Sequence, residues 1–549
     1  MNRRAVAAIA AIAAIMACAP LGSGGGGVEP GNGSPGRGDR VLVTAFNDVL
    51  GVAAGRRIVY AATTNGVIGL DRQFQRWLPP LTEGVDIGIQ SVTAMAVDPL
   101  DEAVWYATPG RLVRYEPTID LLTSTIVPGP VDVIMFDARD PGAGAFIRAG
   151  GRWYNASRFG MASPVDPSRL PPPDARVLPP TLRQLYTQFP SLQSFSALIT
   201  RDDWAQSWPV SSGAKAPEAT EVWLGTRGNG LFKVDPVFNT SDHVIYGLLS
   251  PIAGALAAAE GGVWIASAGR SYAGRGGLTY ASSDLQQWRW IEGSALRPMA
   301  DMRARDLSIA GRIAWIASDR GLVRIDVDRQ QDHHIWSATH GLPDDRVLSV
   351  ASSVQGAWVG TARGLAFVAE QGEQGAPGAP TRTLLRGIGV RALALVGDTL
   401  WIGTDAGLMT QDTRTPGSSP QRARASGNEP RLTRAVYAIA RSDSMLVVAL
   451  DDGLVALSLP SRAPIARLST VATAGVGRVA AMDADADGIL LAGSAGALVV
   501  DRATGATQLL SAPRDIPAEA LDVLLEREWA WIATPAGIVR LRRVGGRVQ

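Results

Sequence analysis

Short apolar runs separated by turns follow one another along the chain, and one phrase keeps returning. It is an apolar pair, usually with tryptophan, then a small residue, Thr or Ser, two variable residues, Gly and a further apolar run. Val222-Trp223-Leu224-Gly225-Thr226 leads to Gly230-Leu231, and Ala314-Trp315-Ile316-Ala317-Ser318 leads to Gly321-Leu322. Trp358-Val359-Gly360-Thr361 with Gly364-Leu365, Trp401-Ile402-Gly403-Thr404 with Gly407-Leu408, and Trp531-Ile532-Ala533-Thr534 with Gly537-Ile538 repeat it. Weaker copies centre on Tyr60, Trp105, Phe146, Trp264, Val447 and Leu490. Successive centres lie 41 to 46 residues apart, except for intervals of 77 and 51 that carry insertions. A period in the low forties is the length of a four-stranded propeller blade. The fold class expected is all-β, a β-propeller of about eleven four-stranded blades.

Each unit reads as four strands. An apolar run precedes the Trp and would be the innermost strand: Val92–Val97, Leu307–Ala310, Leu348–Ala351, Leu393–Val396, Val436–Ala440, Val479–Met482 and Leu521–Leu525. The Trp strand and the Gly-Leu strand follow, joined by a tight turn in which Gly takes positive φ at no steric cost. A more polar outer strand closes the unit, as at Phe74 and Trp77, Trp288 and Trp290, or Ile335 and Trp336. The Trp rings are expected to pack between neighbouring blades, each burying about 150–250 Å². The final copy stops after its third strand, and Val41–Phe46 could supply the missing outer strand, removing an open edge. Rings usually hold six to eight blades, so two rings are expected, over 41–300 and 301–549. One large ring, or a ring interrupted by another, is the alternative. Residues 160–220 fit no blade: they hold Pro171-Pro172-Pro173, Pro179-Pro180 and a helix expected at Thr181–Phe189. Long irregular loops on a rigid scaffold are often lids or partner sites, and otherwise decoration.

Composition changes this picture at one end. The chain has 549 residues with 61 Gly and 35 Pro, and its net charge is +1. Such a balance lacks the basic excess that a nucleic-acid binder needs to neutralise phosphates. With 4 His in the whole chain, a multi-histidine metal site is not expected. The single cysteine, Cys18, ends the only long apolar run, MNRRAVAAIAAIAAIMAC. Arg3 and Arg4 precede an apolar stretch, Ala5–Met16, too short to span a bilayer and of signal-peptide length. Ile15-Met16-Ala17-Cys18 resembles the lipobox of bacterial lipoproteins, which implies a Cys18 that is acylated and becomes the first mature residue. Residues 19–40 are Gly/Ser/Pro-rich and read as a flexible tether. Ala19 and Pro20 follow the cysteine instead of Asp, which by the sorting habit of enteric lipoproteins implies the outer membrane rather than the inner. The expected partners are therefore a lipid bilayer, reached through Cys18, and a protein or polysaccharide, with no nucleic acid.

The phrase W-[IV]-G-T-x-x-G-[LV] resembles the propeller repeats in sensor ectodomains of bacterial two-component regulators, over most of residues 41–549. His340-Gly341-Leu342-Pro343 matches the "GLP" that precedes inner strands there. The resemblance implies the fold and a ligand-sensing role. Those proteins usually continue into a membrane helix and a kinase, which this sequence is not expected to carry.

Candidate chemistry is sparse. The turns after the Trp strands form the face where propellers usually bind. They carry Arg227 and Asn229; Arg270, Tyr272 and Arg275; Asp319 and Arg320; Arg363; Asp405; and Asp451 and Asp452. Such mixed charge suits a polar ligand or a partner's loops, and equally a solvated set of turns. Asp483-Ala484-Asp485-Ala486-Asp487-Gly488 looks like the opening of a calcium loop, with three carboxylates at alternate positions and a Gly for the sharp turn. It lacks a closing acid, since Ser494 and Leu491 stand where one would sit, so an acidic hairpin turn is the plainer reading. A structural calcium at Asp483, Asp485 and Asp487 is the only cofactor considered. His333 and His334 are adjacent and would point to opposite faces of a strand. Hydrolase, metalloprotease, P-loop and dinucleotide fingerprints are missing in any suitable context; Gly274-Arg275-Gly276-Gly277 reads as a loop insertion. The expected inner-strand ends are small or apolar: Val97, Ala310, Ala351, Val396 and Ala440. A binding module without turnover is the first functional expectation. A structural or assembly component of an envelope machine comes second, and a propeller lyase or hydrolase third.

Overall fold

The repeated phrase folds for reasons visible in one hairpin. In Trp401–Gly407 the Thr404 hydroxyl donates to the Gly407 carbonyl at 2.6 Å and accepts from the Ala406 N–H at 3.1 Å, so a buried side chain closes the tight turn. Thr63, Ser318, Thr361 and Thr534 make the same bond to Gly66, Gly321, Gly364 and Gly537. The glycine is required because the next strand crosses close over it. Gly537 has φ 131°, and a Cβ there would lie 2.4 Å from the Val43 carbonyl oxygen. The tryptophans Trp223, Trp315, Trp358, Trp401 and Trp531 are buried. Trp315, for example, packs with Leu342, Val350 and Val359 of the following repeat.

In the computed structural model, residues 39–549 are described apart from 83–91, 203–205, 268–275, 293–301, 331, 371–377, 381–382, 416–417 and 428. They form eleven antiparallel sheets, and each copy of the phrase supplies the second strand of one. We number the sheets as blades in chain order. Blades 1 to 4 begin at inner strands Val49–Ala54, Ala94–Val97, Val131–Asp137 and Val210–Lys215. Blades 5 to 11 begin at Ala253–Ala259, Ala304–Ala310, Val347–Ser353, Val390–Val396, Ala438–Ser442, Val479–Ala484 and Asp522–Leu525.

Packing between inner strands sorts the blades into two groups. Each inner strand from blade 5 to blade 11 packs on the next, and that of blade 11 packs on blade 5, which closes a seven-bladed ring. The other contacts run from blade 4 to 1 to 2 to 3. The expected division near residue 300 falls between blades 5 and 6, whose inner strands pack together; the grouping instead changes between Val244 and Ala253. The last blade takes its outer strand from the start of the fold: Arg40–Val43 pairs antiparallel with Gly537–Val544, Val43 opposite Ile538. Blades 1 to 4 are therefore inserted between the outer strand of blade 11 and the inner strand of blade 5. The outgoing and returning crossings pair with each other, with the Leu248 N–H donating to the Thr44 carbonyl at 3.0 Å and Gly247 bridged to Ala45. Tyr246 packs against Phe46, Trp77 and Trp288 there, joining the two groups through one core.

The irregular insertion is shorter than the expected 160–220, because Ala162–Pro164 and Arg176–Val177 pair in blade 3 and Val210–Lys215 is the inner strand of blade 4; the rest has a structural task. Thr181 caps a helix, Leu182–Gln188, through a capping box with Gln184. Leu185, Leu192, Phe195 and Ile199 pack on Val222, Leu224, Phe232 and Val234 of blade 4. The insertion thus covers one apolar face of blade 4, while the other face packs on blade 1.

Candidate functional site

Every inner strand runs away from one face of its ring, and the strand after it returns to that face. The turn after the second strand therefore lies beside the start of the inner strand. In blade 6 this places Asp319 and Arg320 next to Arg303: the Asp319 N–H donates to the Arg303 carbonyl at 3.3 Å, and the Asp319 carboxylate accepts the Arg303 N–H at 2.8 Å. Arg346 holds the same position in blade 7, its carbonyl accepting from Ala362 at 3.1 Å, and Arg478 in blade 10, accepting from Ser494 at 3.2 Å.

The turn residues singled out from the sequence are mostly neutralised within this face. Asp405 pairs with Arg391 at 2.5 Å, and both Asp451 and Asp452 pair with Arg434 at 2.6 Å. Arg363 lies 3.3 Å from Asp344, and Arg320 is exposed. Arg227 and Asn229 belong to the other group of blades. Arg227 pairs with Asp48 at 2.6 Å, and Asn229 is buried, donating to the Ile199 carbonyl at 3.2 Å. Arg227 and Asn229 are thus not brought together with the turn residues of the closed ring. Cys18, Arg270, Tyr272 and Arg275 lie outside the described residues.

The arginines at the strand starts are not among the residues expected at this face. The inner strands of blades 6, 7 and 8 begin earlier than their apolar runs, at Ala304 rather than Leu307 in blade 6. A bulge lies between Ala304 and Asp306, and Arg305 is its extra residue. Arg303, Arg305, Arg346 and Arg478 are all exposed. Partial desolvation at the ring mouth, and then the positive charges of Arg303, Arg346 and Arg478, outweigh the Asp319 carboxylate and hold the Arg305 guanidinium below its ordinary value. Blades 6 and 10 stand nearly opposite in the ring, and the charges of Arg303, Arg346 and Arg478 all act on Arg305 at its mouth. Arg303 and Arg305 before Leu307, Arg346 before Leu348 and Arg478 before Val479 were the available signal.

Further along the inner strands lie three aspartates: Asp306 in blade 6, Asp483 in blade 10 and Asp522 in blade 11. Each accepts two backbone N–H groups, one from the following residue and one from the next blade. The inter-blade bonds join Asp306 to Val350 at 2.8 Å, Asp483 to Leu525 at 2.8 Å and Asp522 to Leu256 at 2.7 Å. These bonds latch blade to blade, the last of them across the ring closure. Burial pushes Asp306 and Asp483 up to about 6. Burial raises Asp522 well above the usual carboxylate range too, reinforced by the charges of Asp306 and Asp483.

This arrangement separates the acids read as the opening of a calcium loop. Asp483 turns towards blade 11, Asp485 pairs with Arg543 at 2.5 Å and caps its own turn through the Asp487 and Gly488 N–H groups, and Asp487 is exposed. The strand alternation that puts the acids at every second residue is broken by the turn after Ala484, so their carboxylates do not converge. Among the described residues, His, Cys, Asp and Glu nowhere gather in threes around a common point. His334 packs tilted against Trp336 at 4.3 Å between centroids, and the His340 Nδ1 bonds to Ser337 at 2.8 Å.

No protein-family model matches the chain, and no curated protein matches it. Solved structures do match. One is PorZ, a bacterial surface component of the type-IX secretion system of Porphyromonas gingivalis. It is 10% identical over 92% of this chain and 87% of the other, with a TM-score of 0.50. Another is the extracellular domain of a putative hybrid two-component system from B. thetaiotaomicron. It is 13% identical over 90% of this chain and 69% of the other, with a TM-score of 0.40. At such identities the likeness is one of fold.

Proposed function

We propose that the chain is a binding module of the cell envelope, lipid-anchored through acylated Cys18 in the outer membrane, that recognises a polymeric or protein ligand without turning it over. The observation that carries this reading is the gathering of charged side chains on one face of the closed ring, on short turns and strand starts held by rigid sheets. Rigid scaffolds that present charged loops on one face are built for recognition. The three axial aspartates have a structural task on the inner strands: each is engaged by two backbone N–H groups as a latch between blades.

A second reading, an assembly component of an envelope machine, is favoured by two observations. PorZ, similar in fold across 92% of this chain, is described as a surface component of a secretion system. Phe159, Met161, Val237 and Phe238 are exposed, the kind of apolar surface that partners cover.

Two measurements test the proposal. Cys18→Ser should abolish palmitate labelling and release the protein from membranes; unchanged fractionation would contradict the anchor. The double substitution Arg320→Ala with Arg363→Ala should weaken retention of a polysaccharide or peptide ligand while shifting stability by less than about 1 kcal/mol, as surface changes do. Full retention by that variant would move the binding site off this face.

A further inference from the structure

The geometry points to the mouth of the seven-bladed ring, framed by Arg303, Arg305, Arg346 and Arg478, as a binding site for a compact, multiply charged oxyanion of the phosphate type. This rests on the reading of that face as the binding face and specifies what the face holds. Arg303, Arg346 and Arg478 occupy one equivalent position in blades 6, 7 and 10, each carbonyl tied to the neighbouring hairpin. Arg305 joins them because the bulge between Ala304 and Asp306 sets it apart from the strand pairing. All four are exposed, and among the described residues none of them takes part in an ion pair. Their neighbours on the same face behave otherwise: Arg391, Arg434 and Arg363 each have a carboxylate within 3.3 Å.

Like charges held together with only the Asp319 carboxylate among them repel, and a bound anion removes that repulsion. A single carboxylate would leave most of the charge unmatched. A phosphate-type group brings two or more charges and planar pairs of acceptor oxygens that suit guanidinium forks. Further along the axis, Asp306 and Asp483, pushed up only to about 6, are ionised at pH 7.5 and repel an anion, so it seats at the mouth.

The test uses the purified full chain, with inorganic tripolyphosphate as a soluble probe and vesicles containing phosphatidic acid as a membrane probe. Tripolyphosphate should bind and raise the melting temperature. Arg305→Gln with Arg478→Gln should weaken that binding about tenfold to a hundredfold, as loss of charge-assisted hydrogen bonds does. Arg414→Gln, paired with Asp412 at 2.6 Å at the far end of blade 8 from this face, should change it less than about twofold. The double variant should melt no lower than the parent without the anion, because the repulsion is relieved. Vesicle binding that tripolyphosphate displaces would assign the phosphate to a lipid headgroup, and tripolyphosphate binding alone would assign it to a soluble ligand. Failure of both probes, undiminished binding by the double variant, or displacement by polyglutamate at lower concentration than by tripolyphosphate would overturn the site. Capture of a polymer or protein by this face that ignores tripolyphosphate would overturn the site and leave the binding module standing.

Discussion

Thr404 shows how one side chain carries the repeat. Its hydroxyl satisfies both a carbonyl and an N–H of a buried turn. Thr404→Val keeps the shape and strands both groups, which should cost about 1–3 kcal/mol. Chemical denaturation measures it, and a loss below about 0.5 kcal/mol would show that the bond is dispensable. Asp306 carries a pH dependence. Its folded-state value, about 6, lies above that of an unfolded aspartate, so the fold holds this proton more tightly than the unfolded chain does. Its contribution therefore improves as pH falls through 6 and worsens as pH rises through it. The stability of the parent relative to Asp306→Asn should fall by on the order of 1–2 kcal/mol between pH 5 and pH 7.5, allowing for the water that still reaches the axis. A difference that stays flat over that range would mean the carboxylate is fully solvated.

Among the elements, the strand Arg40–Val43 has the largest consequence for its size. It supplies the outer edge of blade 11, and Val43 is fully buried against the last hairpin. Val43→Asp places a charge there and should cost at least about 3 kcal/mol. Because the strand closes the seven-bladed ring, the loss should appear as a separate, earlier melting transition of the blades from Ala253 onward. Hydrogen exchange resolves this, and unfolding that begins in blades 1 to 4 would be the opposite result. Much of this level was legible in the sequence. The Trp, Thr and Gly of the phrase are each demanded by a local contact, so all eleven copies could be placed on second strands, and the unfinished last blade pointed to its N-terminal complement. The strand starts of blades 6 and 8 were not legible, because apolar runs alone set the expected boundaries, whereas that of blade 10 falls at Val479 as expected. Arg305 and Asp306 are polar residues inside an inner strand, made tolerable by a bulge and an inter-blade hydrogen bond that no single-strand pattern encodes.

At the scale of the whole molecule, the partition into a closed seven-bladed ring and an inserted group of four was only half legible. Trp264 in blade 5 and Trp315 in blade 6 sit in nearly identical phrases, so the repeat says nothing about which neighbour a blade will meet. The crossing at Tyr246-Gly247 decides it. Gly247 has φ 81°, and a Cβ there would lie 2.5 Å from the Thr44 carbonyl oxygen, so the two crossings can lie side by side only with glycine at this point. Ring closure is also what brings Arg478 to Arg303 and Arg305, which lie far away in sequence, so the candidate site exists only at this scale. The central claim is binding without turnover on the face of the closed ring, and its most direct test is the fate of a captured ligand. A polysaccharide and peptide library is incubated with the purified chain, and what is retained is weighed by mass spectrometry. The account predicts ligand recovered intact, with retention reduced by the combined substitution of Arg303, Arg305, Arg346 and Arg478. Shortened products that form catalytically, and that disappear with Asp522→Asn, would contradict it.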